Sequence, residues 1–85
     1  MTVREHRIAA EILRLSREEL GYRGPLDGGA VPLAGQLDSL VLLSLVVAVE
    51  DRFRIVLADD DSATTRTLDD LARLVAERAG PEVLP

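Results

Sequence analysis

The sequence contains no cysteine and no lysine, one histidine, and only two aromatic residues, Tyr22 and Phe53. Without cysteine, the chain has no disulfide, no thiolate metal site and no thiol nucleophile of its own. Hydrophobic residues make up 47% of the chain, so with few aromatic rings the core should consist of leucine, valine, isoleucine and alanine. Such a core suits packed helices better than an aromatic-rich sheet. The composition therefore predicts an all-α fold.

The sequence also lacks long hydrophobic runs. The longest, from Leu40 to Val49, is interrupted by Ser44 and is too short to span a bilayer. No N-terminal segment combines a basic region with an apolar stretch and a small-residue cleavage site. We therefore expect a cytoplasmic protein with no membrane partner.

Length and charge restrict the function further. A chain of 85 residues corresponds to one domain, here 1–85, and its small core argues against a deep enzyme cleft. The net charge of −5 argues against a nucleic acid as partner, because nucleic-acid binding needs a clustered basic surface. A basic protein surface is the more natural complement.

Capping residues and periodicity predict three longer helices, at about 3–20, 39–53 and 68–79, and one short helix at about 60–64. Thr2 and Glu5 have the spacing of a capping box, and Asp38 and Thr67 have the position of N-caps. Residues 21–37 contain five glycines and two prolines, which predicts a long ordered loop between the first two longer helices.

The second helix is apolar over most of its circumference. A helical projection assigns one stripe to the core, consisting of Leu42, Leu45, Val46, Val49 and Phe53. It assigns Val41, Ser44, Ala48 and Arg52 to the opposite face, with Leu40 and Val47 between the two. Periodicity alone leaves two readings open, a helix buried on most sides or a helix with an apolar docking surface.

Ser39 is the candidate functional residue, at the start of this helix. A serine hydrolase is disfavoured because Leu37 and Val41 stand where small flanking residues would be needed, and the only histidine is His6, among charged residues. The consecutive acids Asp59, Asp60 and Asp61 lack the alternate spacing of a calcium loop, so no metal is expected. A helix N-terminus instead favours an attached phosphate, by roughly 0.3–1 kcal/mol.

The order of these motifs resembles that of the acyl carrier proteins and their peptidyl carrier relatives. The resemblance covers nearly the whole chain, and each motif is weak alone. The matching stretches are Asp38-Ser39-Leu40 after the long loop, Glu50-Asp51-Arg52-Phe53 at the end of the second helix, the apolar-then-acidic connector at 55–61, and Thr67-Leu68-Asp69-Asp70-Leu71 at the start of the last helix.

The resemblance implies a small four-helix bundle with no catalytic residue of its own. In that family a phosphopantetheinyl transferase moves 4′-phosphopantetheine from coenzyme A to the serine that matches Ser39, with Asp38 and Leu40 as motif neighbours. The thiol of the arm then carries a thioester between a loading enzyme and downstream synthase or tailoring enzymes. We expect a free-standing monomer of this kind.

Two departures from the family pattern refine this expectation. The turns after Ser39 lack the acids that many fatty-acid carriers place there, so docking should be apolar, as in natural-product pathways such as those of polyketides. The expected docking residues are Val41, Ser44, Val47 and Asp51. Gln36 and Leu37 replace the Gly-Gly pair common in peptidyl carriers, which favours an acyl or aryl-acyl load over an aminoacyl one.

Three alternatives remain open at this point. The chain resembles a peptidyl carrier almost as well as an acyl carrier. A second hypothesis, of another class, is a small helical interaction module in which Ser39 is an ordinary capping residue. An esterase that uses Ser39 is the least supported alternative.

Overall fold

The computed structural model describes residues 1–22, 33, 37–58, 60–61 and 64–80 of the chain. These residues form three helices, α1 at Val3–Glu18, α2 at Ser39–Phe53 and α3 at Leu68–Arg78. The described part of the chain contains no extended strand, which confirms the expected all-α class. Most of the predicted 21–37 loop lies outside the described residues.

Helix α1 begins at the capping box predicted from Thr2 and Glu5, in which each side chain bonds the other residue's backbone N–H. The helix ends at Glu18, two residues before the predicted end. Gly21 then takes a φ of +67°, and the Tyr22 N–H donates to the Ser16 carbonyl at 2.9 Å. The predicted glycine stop is thus present, but the last turn before it is not α-helical.

The apolar face of α1 forms the centre of the core. Ile8, Ile12 and Leu15 are almost completely buried, as helical spacing predicts. Val3, which the helical spacing predicts beside this apolar face, is instead 76% exposed. It is the first residue of the helix and therefore extends past the end of its packing partners.

Helix α3 begins at a second capping box, formed by Thr67 and Asp70. It ends at Arg78, because Ala79 takes an extended conformation with ψ of 143°. The predicted end at residue 79 was therefore one residue too far. Its buried side is made of Leu68, Leu71, Ala72 and Val75.

Arg4 joins the start of α1 to the end of α3. Its guanidinium donates to the carbonyl oxygens of Ala76 at 2.7 Å, Ala79 at 3.3 Å and Gly80 at 3.0 Å. Carbonyl groups at a helix C-terminus lack intrahelical donors and carry partial negative charge, so a cation there is favourable. The contact holds the two helices antiparallel.

Helix α2 completes the core with Leu45, Val49 and Phe53, each fully buried. It spans the range predicted from the sequence, with Phe53 as its last residue. The C-cap residue Arg54 then has left-handed backbone angles of φ 57° and ψ 50°. Both α2 and α3 pack against α1, whereas α2 and α3 approach each other less closely. A gap is therefore left between α2 and α3.

The segment between α2 and α3 contains a turn where the sequence predicted a short helix at about 60–64. Asp60 and Asp61 form a 3₁₀ turn in which the Asp61 N–H donates to the Ala58 carbonyl at 3.0 Å. The N–H groups of Thr64 and Thr65 both donate to the Asp61 carbonyl. Because residues 62 and 63 lie outside the described part, a fourth helix is not established, and the four-helix bundle stays a prediction.

A charged cluster joins α1 to α2 at the surface. Glu11 accepts from Arg52 of α2 at 2.5 Å and from Arg14 of its own helix at 2.6 Å. Arg14 also pairs with Glu18, and the Arg52 guanidinium lies 5.3 Å from the centre of the Phe53 ring. The hydrogen bond from Arg14, and then that from Arg52, lower the pKa of Glu11 from 4.5 to about 2.

This cluster predicts an acid-sensitive link between α1 and α2. Because the pKa of Glu11 is lower in the folded chain than its ordinary 4.5, its contribution is present above about pH 4.5 and is lost as the pH falls towards 2. Glu11→Gln should lower the free energy of unfolding at pH 7 by about 1 kcal/mol, the scale of a partly exposed ion pair. Urea denaturation at pH 7, 5 and 3 measures this.

Glu18→Gln is the matched control, because among the described residues Glu18 pairs with Arg14 alone, and its side chain is 62% exposed. The difference between the Glu11→Gln variant and the wild type should shrink at pH 3, while the control should stay close to the wild type throughout. A difference that persists unchanged from pH 7 to pH 3 would contradict the assignment to the Glu11 charge.

Candidate functional site

The start of α2 carries an exposed serine beside a satisfied cap. Asp38 accepts the Val41 N–H at 2.9 Å, and its carbonyl accepts the Leu42 N–H at 2.9 Å. Ser39 is the first residue of the helix and is exposed. Its hydroxyl has no hydrogen-bond partner among the described residues. The backbone N–H groups of Ser39 and Leu40 precede the first intrahelical bond and therefore have no acceptor within the helix.

Ser39 also lies at the rim of an apolar groove of about 560 Å³. The groove occupies the gap between α2 and α3. Its described lining comes from α2, from the connector after α2, from α3 and from Leu33, and is mostly apolar. The lining side chains besides Ser39 are Leu33, Leu42, Leu43, Leu45, Val46, Leu57, Ala58, Asp61, Thr65, Leu71 and Leu74. An exposed hydroxyl thus opens onto an apolar space.

A second feature of α2 is its outer surface. Leu40, Leu43 and Val47 are 73%, 61% and 49% exposed, and their spacing places them on one face of the helix. We name these three residues the apolar stripe. No charged residue lies between Ser39 and Val49, and the exposed Asp51 follows one turn beyond the stripe. Three large exposed side chains in one row are characteristic of a contact surface.

The structure corrects the predicted outer face. Val41 is only half exposed and packs against the core, and Ser44 is also half-buried, so neither belongs to the most exposed face. The physical reason is the position of α1, which covers the flank of α2 that carries Arg52. Of the predicted docking residues, Val47 and Asp51 are exposed, whereas Val41 and Ser44 are half-buried.

Leu43 was missed by the sequence interpretation, which assigned it to no face. The fully buried residues Leu45, Val49 and Phe53 define the true centre of the core-facing side. At about 100° per residue, the direction opposite that centre falls on Leu40, with Val47 about 20° and Leu43 about 60° away. A projection centred on these residues would have found Leu40 and Val47, but the exposure of Leu43 follows only from the packing.

The remaining chemistry-bearing residues do not join Ser39 in a catalytic arrangement. His6 is exposed on α1 and does not line the groove. Among the described residues there is no group of three or more acids and histidines that could hold a metal ion. Asp59, the first of the three consecutive acids, lies outside the described part.

Asp61 lines the groove as the partner of an arginine. The Arg78 guanidinium donates to its two carboxylate oxygens at 2.6 and 2.8 Å, and the Ala58 N–H donates to it at 2.7 Å. The hydrogen bond from Arg78, and then that from Ala58, lower the pKa of Asp61. The carboxylate is therefore charged near neutral pH and is part of the connector's architecture.

Comparison with known proteins found no match: no family model matches the chain, and no curated protein or solved structure matches it significantly. None of the helices in the described ranges is long and apolar enough to cross a membrane. The assignment of a function therefore depends on the site itself.

The exposure pattern of α2 predicts opposite outcomes for two similar substitutions. Val47→Glu should leave the melting temperature within about 2 °C of the wild type, since half of that side chain already contacts water. Val41→Glu places a charge against the core, and it should lower the free energy of unfolding by about 1–3 kcal/mol. Circular dichroism at 222 nm during thermal and urea unfolding measures both. Equal destabilisation of the two variants would contradict the assigned faces.

Proposed function

We propose that the chain is a carrier protein that holds an acyl or aryl-acyl group as a thioester on a 4′-phosphopantetheine arm attached to Ser39. The observation that carries this proposal is the position of Ser39, exposed at the first residue of α2 and at the rim of an apolar groove. The order of motifs along the chain supports it independently.

The start of α2 fits a phosphodiester. The Ser39 and Leu40 N–H groups lack helical acceptors, and the positive end of the helix dipole favours a nearby anion. The first turn of α2 contains no acid that would oppose a phosphate, and the carboxylate of the preceding Asp38 is engaged with the Val41 N–H. The Ser39 hydroxyl is exposed and therefore accessible to a modifying enzyme.

The chain's own part in the chemistry is limited to presenting that hydroxyl and then the load. In the transfer, the Ser39 oxygen forms a new bond to the phosphorus next to the pantetheine of coenzyme A. The pyrophosphate bond breaks, the nucleotide leaves, and the transferase removes the hydroxyl proton. The attached arm supplies a thiol, which this cysteine-free chain lacks. We propose no catalytic residue in the carrier itself.

The groove supports the choice of an apolar load. Its described lining is mostly leucine, with valine and alanine, and only Ser39, Asp61 and Thr65 add polar groups. An alkyl or aryl group loses contact with water there at a gain of about 25 cal/mol per Å² buried. A free-standing peptidyl carrier is the nearest alternative, and a polar aminoacyl group would gain less from this lining.

Working partners complete the proposal. They are a phosphopantetheinyl transferase, an acyl-loading enzyme and downstream synthase or tailoring enzymes of a natural-product pathway such as that of a polyketide. Tethering raises the effective concentration of the load at each docked partner, so weak docking is sufficient. The four-helix bundle of the carrier family, a monomeric state and a cytoplasmic location belong to this proposal as predictions.

One observation favours a second function. The exposed apolar stripe of Leu40, Leu43 and Val47 suits a permanent protein contact as well as a transient one. A small interaction module without a cofactor would use the same surface and would leave Ser39 unmodified.

Modification of Ser39 distinguishes the two functions. Incubation with coenzyme A, magnesium and a promiscuous phosphopantetheinyl transferase should add one phosphopantetheine, seen by intact-protein mass spectrometry. Ser39→Ala should abolish the addition and keep the fold, because the exposed hydroxyl makes no contact needed for packing and Asp38 still caps the helix.

Ser44→Ala is the control, since Ser44 lies on the same helix but one and a half turns further on, and it should be modified like the wild type. Addition that persists in Ser39→Ala would place the site elsewhere. A folded wild-type chain that several transferases leave unmodified would favour the interaction module.

The apolar stripe predicts how the modified protein meets its partners. In the phosphopantetheinylated protein, Leu43→Glu and Val47→Glu should each lower kcat/KM for a cognate loading enzyme. The loss should be roughly five- to thirtyfold, the scale of about 1–2 kcal/mol for a residue at the centre of an interface. Steady-state loading kinetics measure it.

Val3→Glu provides the matched control, because Val3 is 76% exposed but lies at the start of α1 and not on α2. It should load at the wild-type rate. Equal losses in all three variants would indicate a general charge effect and would contradict docking through the stripe.

A further inference from the structure

The connector after α2 forms one wall of the apolar groove. Leu57, Ala58, Asp61 and Thr65 contribute that wall, facing the side chains that α2 and α3 contribute. The width of the groove therefore depends on how firmly these residues are held against the two helices.

Burial holds this wall most firmly at its beginning. Ile55 is buried and Leu57 is partly buried against the core, but Val56 is 79% exposed, Ala58 is exposed, and Asp61 is half-buried. Segments with few buried apolar contacts open at a small cost in free energy. After Leu57, polar contacts therefore contribute to the position of the described part of the wall.

On the α2 side, the polar contact is made by Glu50, whose carboxylate accepts the Leu57 N–H at 2.8 Å. On the α3 side, Arg78 donates to both carboxylate oxygens of Asp61 at 2.6 and 2.8 Å, and to the Val56 carbonyl at 3.0 Å. Asp61 in turn organises its own turn through the Ala58 N–H. Arg78 thus bonds two separate points of the wall from one rigid guanidinium.

Two features of the Arg78–Asp61 pair allow it both to form and to break. The side chains of Arg78 and Asp61 are 37% and 16% exposed, so water competes with the pair. A bidentate arginine–carboxylate contact is nevertheless directional and among the stronger hydrogen-bonded pairs. Its loss would remove the hydrogen bonds from Arg78 to the connector, whereas the buried core and the Glu50–Leu57 hydrogen bond do not depend on it.

We propose that the Arg78–Asp61 pair is a latch that sets the width of the groove and thereby limits the bulk of the apolar group that the groove admits. The latch acts on the unmodified chain, so it does not depend on Ser39 carrying an arm. Its role is that of a positioning pair, since neither residue needs to touch the ligand's reactive atoms.

Hydrogen exchange tests the release of the wall. In the unmodified protein, Arg78→Gln should speed amide exchange at Leu57, Thr64 and Thr65 by roughly tenfold, the scale of a charge-assisted bidentate contact. Exchange at Ile12, in the core of α1, should stay unchanged. Arg73→Gln is the matched control, because Arg73 lies on the same helix and pairs with Asp70 at 3.5 Å, away from the groove.

Binding of a neutral apolar dye tests the width. Nile red titrated into the unmodified protein should bind roughly tenfold more tightly to Arg78→Gln than to the wild type or to Arg73→Gln, because the open form is more populated. Asp61→Asn, with the exposed neighbour Asp60→Asn as its control, repeats the test while Arg78 stays at the end of α3. This second variant separates the latch from any effect of Arg78 on helix stability.

Faster exchange with unchanged dye affinity would show that the pair only stabilises the connector, and it would overturn the proposal. So would weaker dye binding in Arg78→Gln and Asp61→Asn, or an absence of binding in every variant. Because no step uses a transferase, a negative result here leaves the modification of Ser39 to be judged by its own mass spectrometry.

Discussion

The burial of Leu45, Val49 and Phe53 against α1 is the interaction on which the rest of the structure depends. These three side chains determine how α2 is rotated, and that rotation decides which of its other apolar residues face water. It exposes the apolar stripe and leaves Ser39 at the rim of the groove. A helix with apolar residues around most of its circumference needs such a determining contact, because its own pattern does not select a single orientation.

Both α2 and α3 pack against α1 and less closely against each other, and this arrangement creates the groove. Polar contacts then fix the relative positions of the helices and the connector, after burial of the core has brought them together. Arg4 bonds the end of α3, Glu11 bonds α2 through Arg52, and Arg78 bonds the connector through Asp61. Each is partly exposed, so water competes with it, and these contacts position elements whose stability comes mainly from the core.

The helix starts were predictable because capping is local. The side chains of Thr2, Asp38 and Thr67 each accept the backbone N–H three residues further on, so donor and acceptor are close together in the sequence. The predictions of the helix ends were less accurate. Helix α1 ends at Glu18 and α3 ends at Arg78, both earlier than predicted, because several successive residues near a helix end satisfy the same pattern. The short predicted helix at 60–64 reduces, in the described residues, to a 3₁₀ turn around Asp61.

By itself the sequence determined the all-α class, the start of α2 at Ser39, and the absence of any thiol or second histidine with which a serine could work. Only the tertiary structure decided that Leu43 faces solvent while Val41 contacts the core, that Asp61 pairs with Arg78 across 17 positions of sequence, and that a groove meets Ser39. The physical reason is the distance along the chain over which each effect acts. Caps and composition act within a few residues, whereas exposure, pairing and empty space depend on which helix lies against which.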